Sequence, residues 1–321
     1  FGEDRVELFH ARFLLGDRLR IERDVMQRFG KSSTATSRAG RILVATQVVE
    51  QSLDIDFDAM VTDLAPIDLV VQRLGRLHRH PRPGRDSPEL VVLAPEWSEV
   101  PGESWVRRTL PGTTFVYPDP GVLWRTQRAL LHRSAIDLPT DSRALIEAVY
   151  AEDAETPKGL ARGAVRAENS RDADRSTALF FTCRPARGYV YDGLSASEDL
   201  GAPTRLGEAT IRLRFARPCD GRLVPLLGDE DTGWSFSTCR LPARQIAEAV
   251  HGSFAGDVTN VTEKMPDRGR GCVIFVVPSG PASTWVVEGR ASNGASVSVR
   301  YDARRGLALH STRSTKGGGA S

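Results

Sequence analysis

The chain has 321 residues, of which 40% are hydrophobic and 26% are charged, and its net charge is +2. A domain typically takes about 100–200 residues, so this length is enough for two domains with their own cores. No apolar run approaches the roughly 18–20 residues that a membrane-spanning helix needs, which excludes a span of that kind. The small net charge favours no particular class of partner.

The first residues and the cysteines indicate the setting of the protein. The sequence FGEDRVELFH lacks the basic and apolar regions of a secretory signal, and we interpret it as the interior of a longer protein. The four cysteines show no CxxC spacing, which argues against a zinc site and is typical of a reducing cytoplasm. They are Cys183, Cys219, Cys239 and Cys272.

The first 96 residues alternate between strand-like and helix-like segments. Short apolar runs predict strands, and the segment 14–29 has apolar residues near helical spacing and is followed by Gly30, which predicts an amphipathic helix. Strands that alternate with helices predict a parallel α/β sheet, whose ligand sites lie at the carboxyl ends of its strands. The predicted strands are 6–9, 42–45, 59–63 and 90–94, and the predicted helices are 14–29 and 66–77.

The pattern changes after this region. Pro, Gly and charged residues are frequent over 81–120, which is typical of a linker, and amphipathic helices are predicted at 122–133 and 141–151. The remainder has β character with one predicted helix at 241–250. Its predicted strands are 177–183, 189–192, 210–215, 272–278, 284–288, 296–301 and 307–310. We therefore predict three domains: an α/β lobe at 1–96, a linker with amphipathic helices at 97–176 and an accessory α+β domain with antiparallel strands at 177–321.

The segment QRLGRLHR, from Gln72 to Arg79, is the first that indicates chemistry. Arg76 and Arg79 are three residues apart, which on a helix puts both on one face, and Gly75 allows a phosphate to approach closely. Two guanidiniums on one face suit phosphoryl transfer, where a positioned arginine contributes about 10³–10⁵ in rate. The alternative is a basic helix face that is merely solvated.

The second segment that indicates chemistry is VATQVVEQSLDID, residues 44–56. A strand ends directly before Thr46, whose hydroxyl can bond a nucleic-acid phosphate, and Asp54 follows where a carboxylate can hold a ribose hydroxyl. Taken separately, Thr46 is equally well a strand-end cap, and Asp54 and Asp56 are equally well acids of a turn.

Together and in this order, the two segments resemble motifs V and VI of the superfamily 2 helicases. With HARF at 10–13 and MQRFGK at 26–31, residues 6–95 resemble the second RecA-like lobe of the CRISPR-associated helicase-nuclease of type I systems. The resemblance implies a RecA-like parallel sheet lobe, then a helical linker and a smaller α+β domain. It also implies an ATP-dependent single-strand DNA translocase with nuclease activity that degrades foreign DNA.

The resemblance assigns roles to individual residues. Arg76 and Arg79 become the catalytic arginines that contact the γ-phosphate, and Asp54 contacts the ribose or a metal-bound water. The cofactor-side residues are Gln72, Gly75 and Asp54, and the residues implied to touch the DNA strand are Arg12, Thr46, Gln47 and, more weakly because it also suits packing, His10.

Several parts of such an enzyme are missing from the sequence. There is no GxxxxGK[ST] phosphate loop, no DEAH-type acidic strand end and no His-Asp nuclease signature. We therefore expect this chain alone to be inactive and to hold no metal. ATP with magnesium is expected mainly on a first RecA-like lobe, and the divalent metals of the nuclease are expected outside this chain.

The resemblance also implies partners, and the residues leave alternatives open. The implied partners are single-stranded DNA, the N-terminal RecA-like lobe, the HD nuclease domain and the Cascade surveillance complex, with no membrane. One alternative is a non-catalytic docking module in which the lobe is a scaffold. Another is the second lobe of a different superfamily 2 helicase, acting on DNA or RNA.

Overall fold

The computed structural model describes residues 2, 5–50, 53–131, 133–180, 190–191, 194–195, 210–229, 232–265, 269, 271–278 and 283–311, of which 174, 176–180, 190–191 and 194–195 are described by their backbone alone. Its contacts define two compact units. Unit 1 comprises Phe1–Val25, Arg38–Val49 and Cys183–Ser321, and unit 2 comprises Met26–Ser37 and Glu50–Thr182. Among the described residues, no helix is both long and apolar enough to cross a membrane.

A pair of parallel strands opens unit 1. Strands β1 (Val6–Phe9) and β2 (Ile42–Ala45) pair in register, so that Phe9 lies opposite Ala45. Because the strands are parallel, the residues that follow them lie at the same edge of the pair. Helix α1 (Leu15–Phe29), the short helix α2 (Ala35–Arg38) and a 3₁₀ turn (Gln47–Val49) complete this part of the chain.

The C-terminal part of unit 1 contains two four-stranded sheets. One is antiparallel throughout, in the order β10-β12-β13-β14, and in the other β7 pairs in parallel with β11 and antiparallel with β8 and β9. A further short pair joins β5 and β6. The bounds are β5 (Val190–Tyr191), β6 (Leu194–Ser195), β7 (Thr210–Cys219), β8 (Arg222–Pro225), α9 (Gly233–Phe236), β9 (Thr238–Pro242), β10 (Glu248–Ala249), α10 (Ala255–Lys264), β11 (Cys272–Val276), β12 (Thr284–Arg290), β13 (Ser296–Asp302) and β14 (Gly306–Ser311).

Aromatic side chains form the centre of the unit 1 core. Trp285 stacks on Tyr301 with ring centroids 5.0 Å apart, and Phe215 lies 4.6 Å from Trp285 and 5.6 Å from Phe275. Leu14, from the segment between β1 and α1, is fully buried in the same cluster. The apolar stripe of the C-terminal sheets is therefore continuous with the first residues of the chain.

Unit 2 packs helices against a second parallel pair, β3 (Ala59–Asp63) and β4 (Glu89–Leu93). Helix α3 (Ile67–Leu74) buries Val70 in a cluster that also contains Val122 and Leu145. The remaining helices are α4 (Trp105–Thr109), α5 (Pro111–Val116), α6 (Pro120–Leu131), α7 (Ser142–Tyr150) and α8 (Lys158–Phe180).

The predicted fold class is confirmed: parallel strand pairs alternate with helices in the first 96 residues, helices follow, and antiparallel strands dominate the C-terminal part. The domain boundaries at residues 96 and 176 remain a prediction. Cys219, Cys239 and Cys272 are free thiols, and burial raises the pKa of Cys239 to about 12. Cys183 lies outside the described residues.

Two predicted elements are wrong. Residues 241–250 form no helix, because Leu241 pairs with Ile211 of β7 and Ala249 pairs with Gly289 of β12, so strand pairing overrides the local helical spacing. The predicted strand at 177–183 begins inside α8, since an established helix gains one backbone hydrogen bond for each residue that it adds. Residues 181–183, and the outer residues of the predicted strand 189–192, lie outside the described part.

Candidate nucleotide and nucleic-acid site

Unit 2 brings together the two segments that the sequence links to nucleotide. Phe57 and Leu77 form an isolated parallel bridge, in which the Phe57 N–H donates to the Arg76 carbonyl at 2.9 Å and the His78 N–H donates to the Phe57 carbonyl at 3.1 Å. The backbone before β3 and the backbone after α3 are therefore held side by side. The side chains of Arg76 and Arg79 contact the segment that contains Asp54.

The arginine segment is not helical as predicted. Helix α3 ends at Leu74, three residues before the predicted end at Leu77, and Gly75 is its C-cap. The bridge between Phe57 and Leu77 turns the chain away from the helix axis, and His78 has a positive φ of 47°. Arg76 and Arg79 are therefore brought close by a turn and a strand-like bridge, and the argument from a shared helix face is wrong.

Arg79 forms an exposed ion pair with Asp54. Its Nε donates to Asp54 Oδ1 at 2.6 Å, and His80 Nε2 lies 3.0 Å from the same oxygen. The side chains of Arg79 and Asp54 are each 42% exposed. The hydrogen bond from Arg79 lowers the pKa of Asp54, partial desolvation opposes this, and His80 adds to the lowering. The predicted ribose acid and a predicted phosphate arginine are thus direct neighbours.

Arg76 points toward backbone carbonyl groups of the preceding segment. Its guanidinium donates to the carbonyl of Glu50 at 3.2 Å and to the carbonyl of Leu53. Burial lowers the pKa of Arg76, and the nearby Arg79 lowers it further while Asp54 opposes the change. The Nε atom is buried and has no hydrogen-bond partner among the residues that the structure describes. A phosphate oxygen can accept from this donor only if the Arg76 side chain turns outward.

Gln72 and Gly75 leave the surface beside these arginines open. The Gln72 side chain is exposed on the last turn of α3. A Cβ on Gly75 would meet only the carbonyl oxygens of Gln72 and Val71, at ordinary contact distances of 3.5 and 3.6 Å. The fold of the described residues thus tolerates a larger residue at Gly75.

Asp56 is the centre of a buried network that the sequence reasoning missed. Its side chain is fully buried, and its two oxygens accept from the Arg79 backbone N–H at 3.0 Å, from Arg85 at 3.0 Å and from Arg82 Nε at 2.6 Å. Burial alone raises the pKa of Asp56, but the hydrogen bonds from Arg82 and Arg85 outweigh it and lower the pKa. Asp56 therefore fixes the backbone of Arg79, while Asp54 fixes its side chain.

The network extends to the residues after α1. Arg82 NH2 donates to the carbonyl of Gly30 at 2.8 Å and to Ser33 Oγ at 3.2 Å. In the sequence, Asp56 reads as an acid of a turn and 81–120 as a linker, so neither segment suggests a buried site. The signal that was available is the pair Asp54 and Asp56 followed by Arg76, Arg79, Arg82 and Arg85 at intervals of three.

Arg73, the remaining arginine of the segment QRLGRLHR, is structural. It donates twice to Glu50 Oε1, at 2.6 and 2.9 Å, and also to Thr62 Oγ1 at 2.6 Å and Tyr117 OH at 3.0 Å. The side chains of Arg73 and Glu50 are only 13% and 6% exposed. Arg73 is thus committed to holding α3 against the neighbouring strand and helix.

The predicted nucleic-acid residues lie at the strand ends of unit 1. Arg12 follows β1 and Thr46 follows β2, and both side chains are exposed, whereas Gln47 is half-buried at the start of the 3₁₀ turn. The Thr46 N–H donates to the Phe9 carbonyl at 3.2 Å, which joins the two loops. This edge of a parallel pair is where the sequence predicts ligand contacts.

His10 is packed into the same edge. Its Nδ1 accepts from the Arg12 N–H at 3.1 Å, so its Nε2 carries the proton and donates to the Arg305 carbonyl at 3.1 Å, and its ring stacks on Phe13 with centroids 4.5 Å apart. Burial lowers the pKa of His10, the hydrogen bond to Arg305 opposes this, and the charge of Arg12 adds to the lowering. These contacts describe a neutral packing residue that supports the backbone of Arg12.

No group of three or more His, Cys, Asp or Glu side chains is arranged to hold a metal ion within the described ranges. The arrangement instead suits phosphate groups: arginines beside a ribose-type carboxylate in unit 2, and an exposed arginine and hydroxyl at the strand ends in unit 1. Parallel strand pairs with these side chains agree with the RecA-like helicase lobe that the sequence predicts.

Comparison with known proteins gives the particular kind of helicase. Residues 1–82 match the family model described as "CRISPR-associated nuclease/helicase Cas3, C-terminal". The chain is 37% identical over 218 residues to the CRISPR-associated endonuclease/helicase Cas3 of Escherichia coli K12, and this alignment covers 65% of the chain and 22% of that protein. The matched part of the chain is therefore similar to the C-terminal helicase lobe of Cas3, which confirms the resemblance seen in the sequence.

Solved structures agree over nearly the whole chain. T. fusca Cas3 matches with a TM-score of 0.65 and 26% identity, over 94% of this chain and 35% of that chain. A chain of a CRISPR RNA-guided surveillance complex, pre-nicking, matches with a TM-score of 0.61 and 26% identity, over 94% of this chain and 37% of its own length. Structures of T. fusca Cas3 with AMPPNP, ATP and ADP match as well, each with a TM-score of 0.63 and with 23%, 24% and 24% identity. The chain spans about a fifth of the E. coli relative and about a third of these structures.

Proposed function

We propose that the chain is the C-terminal, arginine-donating part of an ATP-dependent single-strand DNA translocase and helicase. The intact protein also carries a nuclease and degrades foreign DNA in type I CRISPR interference. One observation supports this most: the segment with Arg76 and Arg79 is bonded directly to the segment with Asp54, through the Arg79 ion pair and the Phe57–Leu77 bridge. The nuclease/helicase names of the relatives support the same reading.

Arg76 and Arg79 act on the nucleotide by stabilising charge. ATP, when bound, supplies the γ-phosphoryl group. The guanidinium of Arg76, once it turns outward, and the exposed guanidinium of Arg79 donate to its oxygens as negative charge spreads over them. Arg79 leaves Asp54 to do so, and the freed carboxylate accepts from a ribose hydroxyl or a metal-bound water. Gln72 contacts the nucleotide from the exposed turn of α3, and Gly75 leaves room beside it.

Arg12 and Thr46 act on the DNA strand. The exposed guanidinium of Arg12 and the hydroxyl of Thr46 donate to phosphates of the translocating strand, and Gln47 assists from the 3₁₀ turn. His10 contributes through packing, because both of its nitrogens are already bonded within the chain. These contacts bind single strands without regard to sequence.

The other parts of the reaction belong to segments outside this chain. A first RecA-like lobe holds the magnesium ion and most of the phosphate contacts, and an HD domain holds the metals of the nuclease, so this chain alone is inactive. The proposed partner is the Cascade surveillance complex, in the cytoplasm, since a similar chain occurs in a CRISPR RNA-guided surveillance complex. The comparisons favour this reading over a docking module or another superfamily 2 helicase.

The test uses Arg76→Ala and Arg79→Ala in the full-length protein, with ATP hydrolysis measured at saturating single-stranded DNA. We expect each variant to lose about 10³–10⁵ in rate, the contribution of a positioned arginine. The matched control is Arg143→Ala, an arginine that is 89% exposed in a helical pair with Glu147 and that leaves the rate unchanged. Wild-type hydrolysis in both site variants would refute the proposal and favour a docking module.

A further inference from the structure

The loop that carries Arg12 is held by a turn of the C-terminal sheet. We call residues 10–14 the Arg12 loop and residues 302–306, between β13 and β14, the clamp turn. The Leu307 N–H, directly after the clamp turn, donates to the Arg12 carbonyl at 2.7 Å, and His10 donates to the Arg305 carbonyl at 3.1 Å. The Arg12 loop is therefore held on both sides of residue 11 within unit 1, by the His10 side chain on the clamp turn and by the Arg12 carbonyl on the residue that follows the turn.

Gly306 makes this contact close. It has a positive φ of 77°, and a Cβ at this position would lie 2.5 Å from His10 Cε1 and 2.9 Å from the Arg12 carbonyl oxygen. Both distances are too short for real side-chain contacts, so any larger residue must push the Arg12 loop away. His10 has no free direction of movement, because it stacks on Phe13 and both of its nitrogens are bonded.

The clamp turn is rigid, and the end of the Arg12 loop is anchored separately. Asp302 Oδ1 accepts from the backbone N–H groups of Arg304 at 2.8 Å and Arg305 at 3.0 Å. Tyr301, fully buried, bonds the Leu14 N–H at 3.4 Å and the carboxylate of Asp17. The backbone is thus fixed at each end of the loop, and the exposed guanidinium of Arg12 is what remains available for a ligand.

We propose that the clamp turn, through Gly306, is the positioning element for Arg12, so that the C-terminal sheet sets how the Arg12 guanidinium reaches a DNA phosphate. This inference rests on the proposed function, in which Arg12 contacts the strand. Gly306 is a positioning residue, since it touches the backbone of Arg12 and no reacting atom. The competing explanation is that Gly306 serves only the turn in which it lies.

The chain contains a matched control for that explanation. Gly294, in the turn between β12 and β13, has a φ of 78°, and a Cβ there would meet no described atom within 4 Å. Gly306→Ala and Gly294→Ala therefore carry the same backbone strain in two turns of one sheet. Only Gly306→Ala adds the contact with His10 and Arg12.

The experiment measures binding of a fluorescent oligo(dT) strand to the full-length protein over a series of salt concentrations. Arg12→Gln removes one phosphate contact, so we expect about tenfold weaker binding and a slope of log K against log salt that is smaller by about 0.7. We expect Gly306→Ala to show the same loss of slope, and Gly294→Ala to bind as the wild type does. A change in turn stability alone leaves the slope unaltered.

A double variant completes the test. If Gly306 acts through Arg12, the protein with both Arg12→Gln and Gly306→Ala binds no more weakly than Arg12→Gln alone. Losses of DNA affinity that add in the double variant overturn the positioning role, and so do equal affinities and salt slopes for Gly306→Ala and Gly294→Ala. Either result leaves the proposed function intact. Unchanged binding by Arg12→Gln overturns the DNA contact itself, and the inference with it.

If Gly306→Ala does not fold, a second pair of variants tests the positioning role of the clamp turn. Asp302→Ala removes the acceptor that fixes the clamp turn, whereas Asp302→Asn keeps an acceptor and removes only the charge. We expect a reduced salt slope for Asp302→Ala relative to Asp302→Asn. Equal slopes for the two variants overturn the positioning role.

Discussion

The two groups of candidate residues use their charges in opposite ways. In unit 2, Arg79 and Arg82 are paired with carboxylates of the same chain at 2.6 Å, and Arg76 donates to backbone carbonyls. In unit 1, the structure fixes only the backbone around Arg12, and the guanidinium is exposed. If the proposed roles hold, the arginines of unit 2 must exchange partners when a phosphate binds, whereas the backbone of Arg12 in unit 1 is already positioned.

This difference separates stability from binding. Removing a charge from the buried network around Asp56 leaves its partner buried and unsatisfied, which costs free energy of folding. Removing the exposed charge of Arg12 leaves no such partner and changes only the interaction with a ligand. Substitutions in unit 2 test whether a residue serves folding stability, ligand binding or both. We expect the most buried group to have the largest effect on stability.

Asp56→Ala gives the largest predicted loss of stability. It leaves Arg82 and Arg85, whose side chains are 10% and 8% exposed, without their shared carboxylate. Breaking a buried ion pair from one side typically costs about 3–5 kcal/mol, and we expect a loss of that size in urea unfolding. Asp58→Ala is the control, because Asp58 also pairs with Arg85 but is 57% exposed. Equal unfolding midpoints for the two variants would contradict the role of Asp56.

Arg73→Lys tests the structural arginine beside the functional ones. Lysine keeps the charge but cannot donate in a fork to Glu50 while also reaching Thr62 and Tyr117, so we expect a loss of about 2 kcal/mol in urea unfolding. Arg143→Lys, on an exposed helix face, should leave the unfolding midpoint unchanged. An unaltered midpoint for Arg73→Lys would mean that a single ion pair with Glu50 suffices.

Acid should lower the folding stability of unit 2 through the carboxylate of Asp56. The pKa of Asp56 is lowered in the folded state, so its stabilisation is fully present above the unfolded pKa of about 3.9 and is lost as the pH falls through the lower, folded value. One such group contributes a slope of up to about 1.4 kcal/mol per pH unit in this range. The free energy of unfolding, measured in urea at several pH values, should fall less steeply between pH 5 and pH 2 in Asp56→Asn than in the wild type. Parallel curves would exclude Asp56 as a source of acid sensitivity.

The sequence was sufficient for those parts of the site that depend on local order. Strands ending before His10 and Thr46 predicted a shared ligand edge, and the parallel register of Phe9 with Ala45 confirms that geometry. The two helicase segments, and with them Asp54 and Arg79, were recognisable because their spacing along the chain is fixed. The family and the fold class followed from the same segments.

The sequence was not sufficient where distant residues decide the geometry. The predicted helix through Leu77 failed because Phe57 pairs with Leu77, a contact across 20 residues that no local spacing reports. Asp56 was undervalued because its partners Arg82 and Arg85 lie in a segment whose composition is that of a linker. Gly306 was recognisable only as a turn residue, since its contacts with His10 and Arg12 join residues almost the whole chain apart.

Arg79→Ala should have the smallest effect on stability, although it is expected to abolish most ATP hydrolysis. Its ion pair with Asp54 is 42% exposed on both sides, and exposed pairs contribute little to folding, so we expect an unfolding midpoint in urea within error of the wild type. The Arg79 backbone N–H that Asp56 binds is retained by alanine, which leaves the buried network intact. A clearly lowered midpoint would mean that Arg79 also supports the fold, and its loss of activity could then no longer be assigned to the γ-phosphate alone. An unchanged midpoint with lost hydrolysis would identify Arg79 as an arginine that the fold holds in place but does not need.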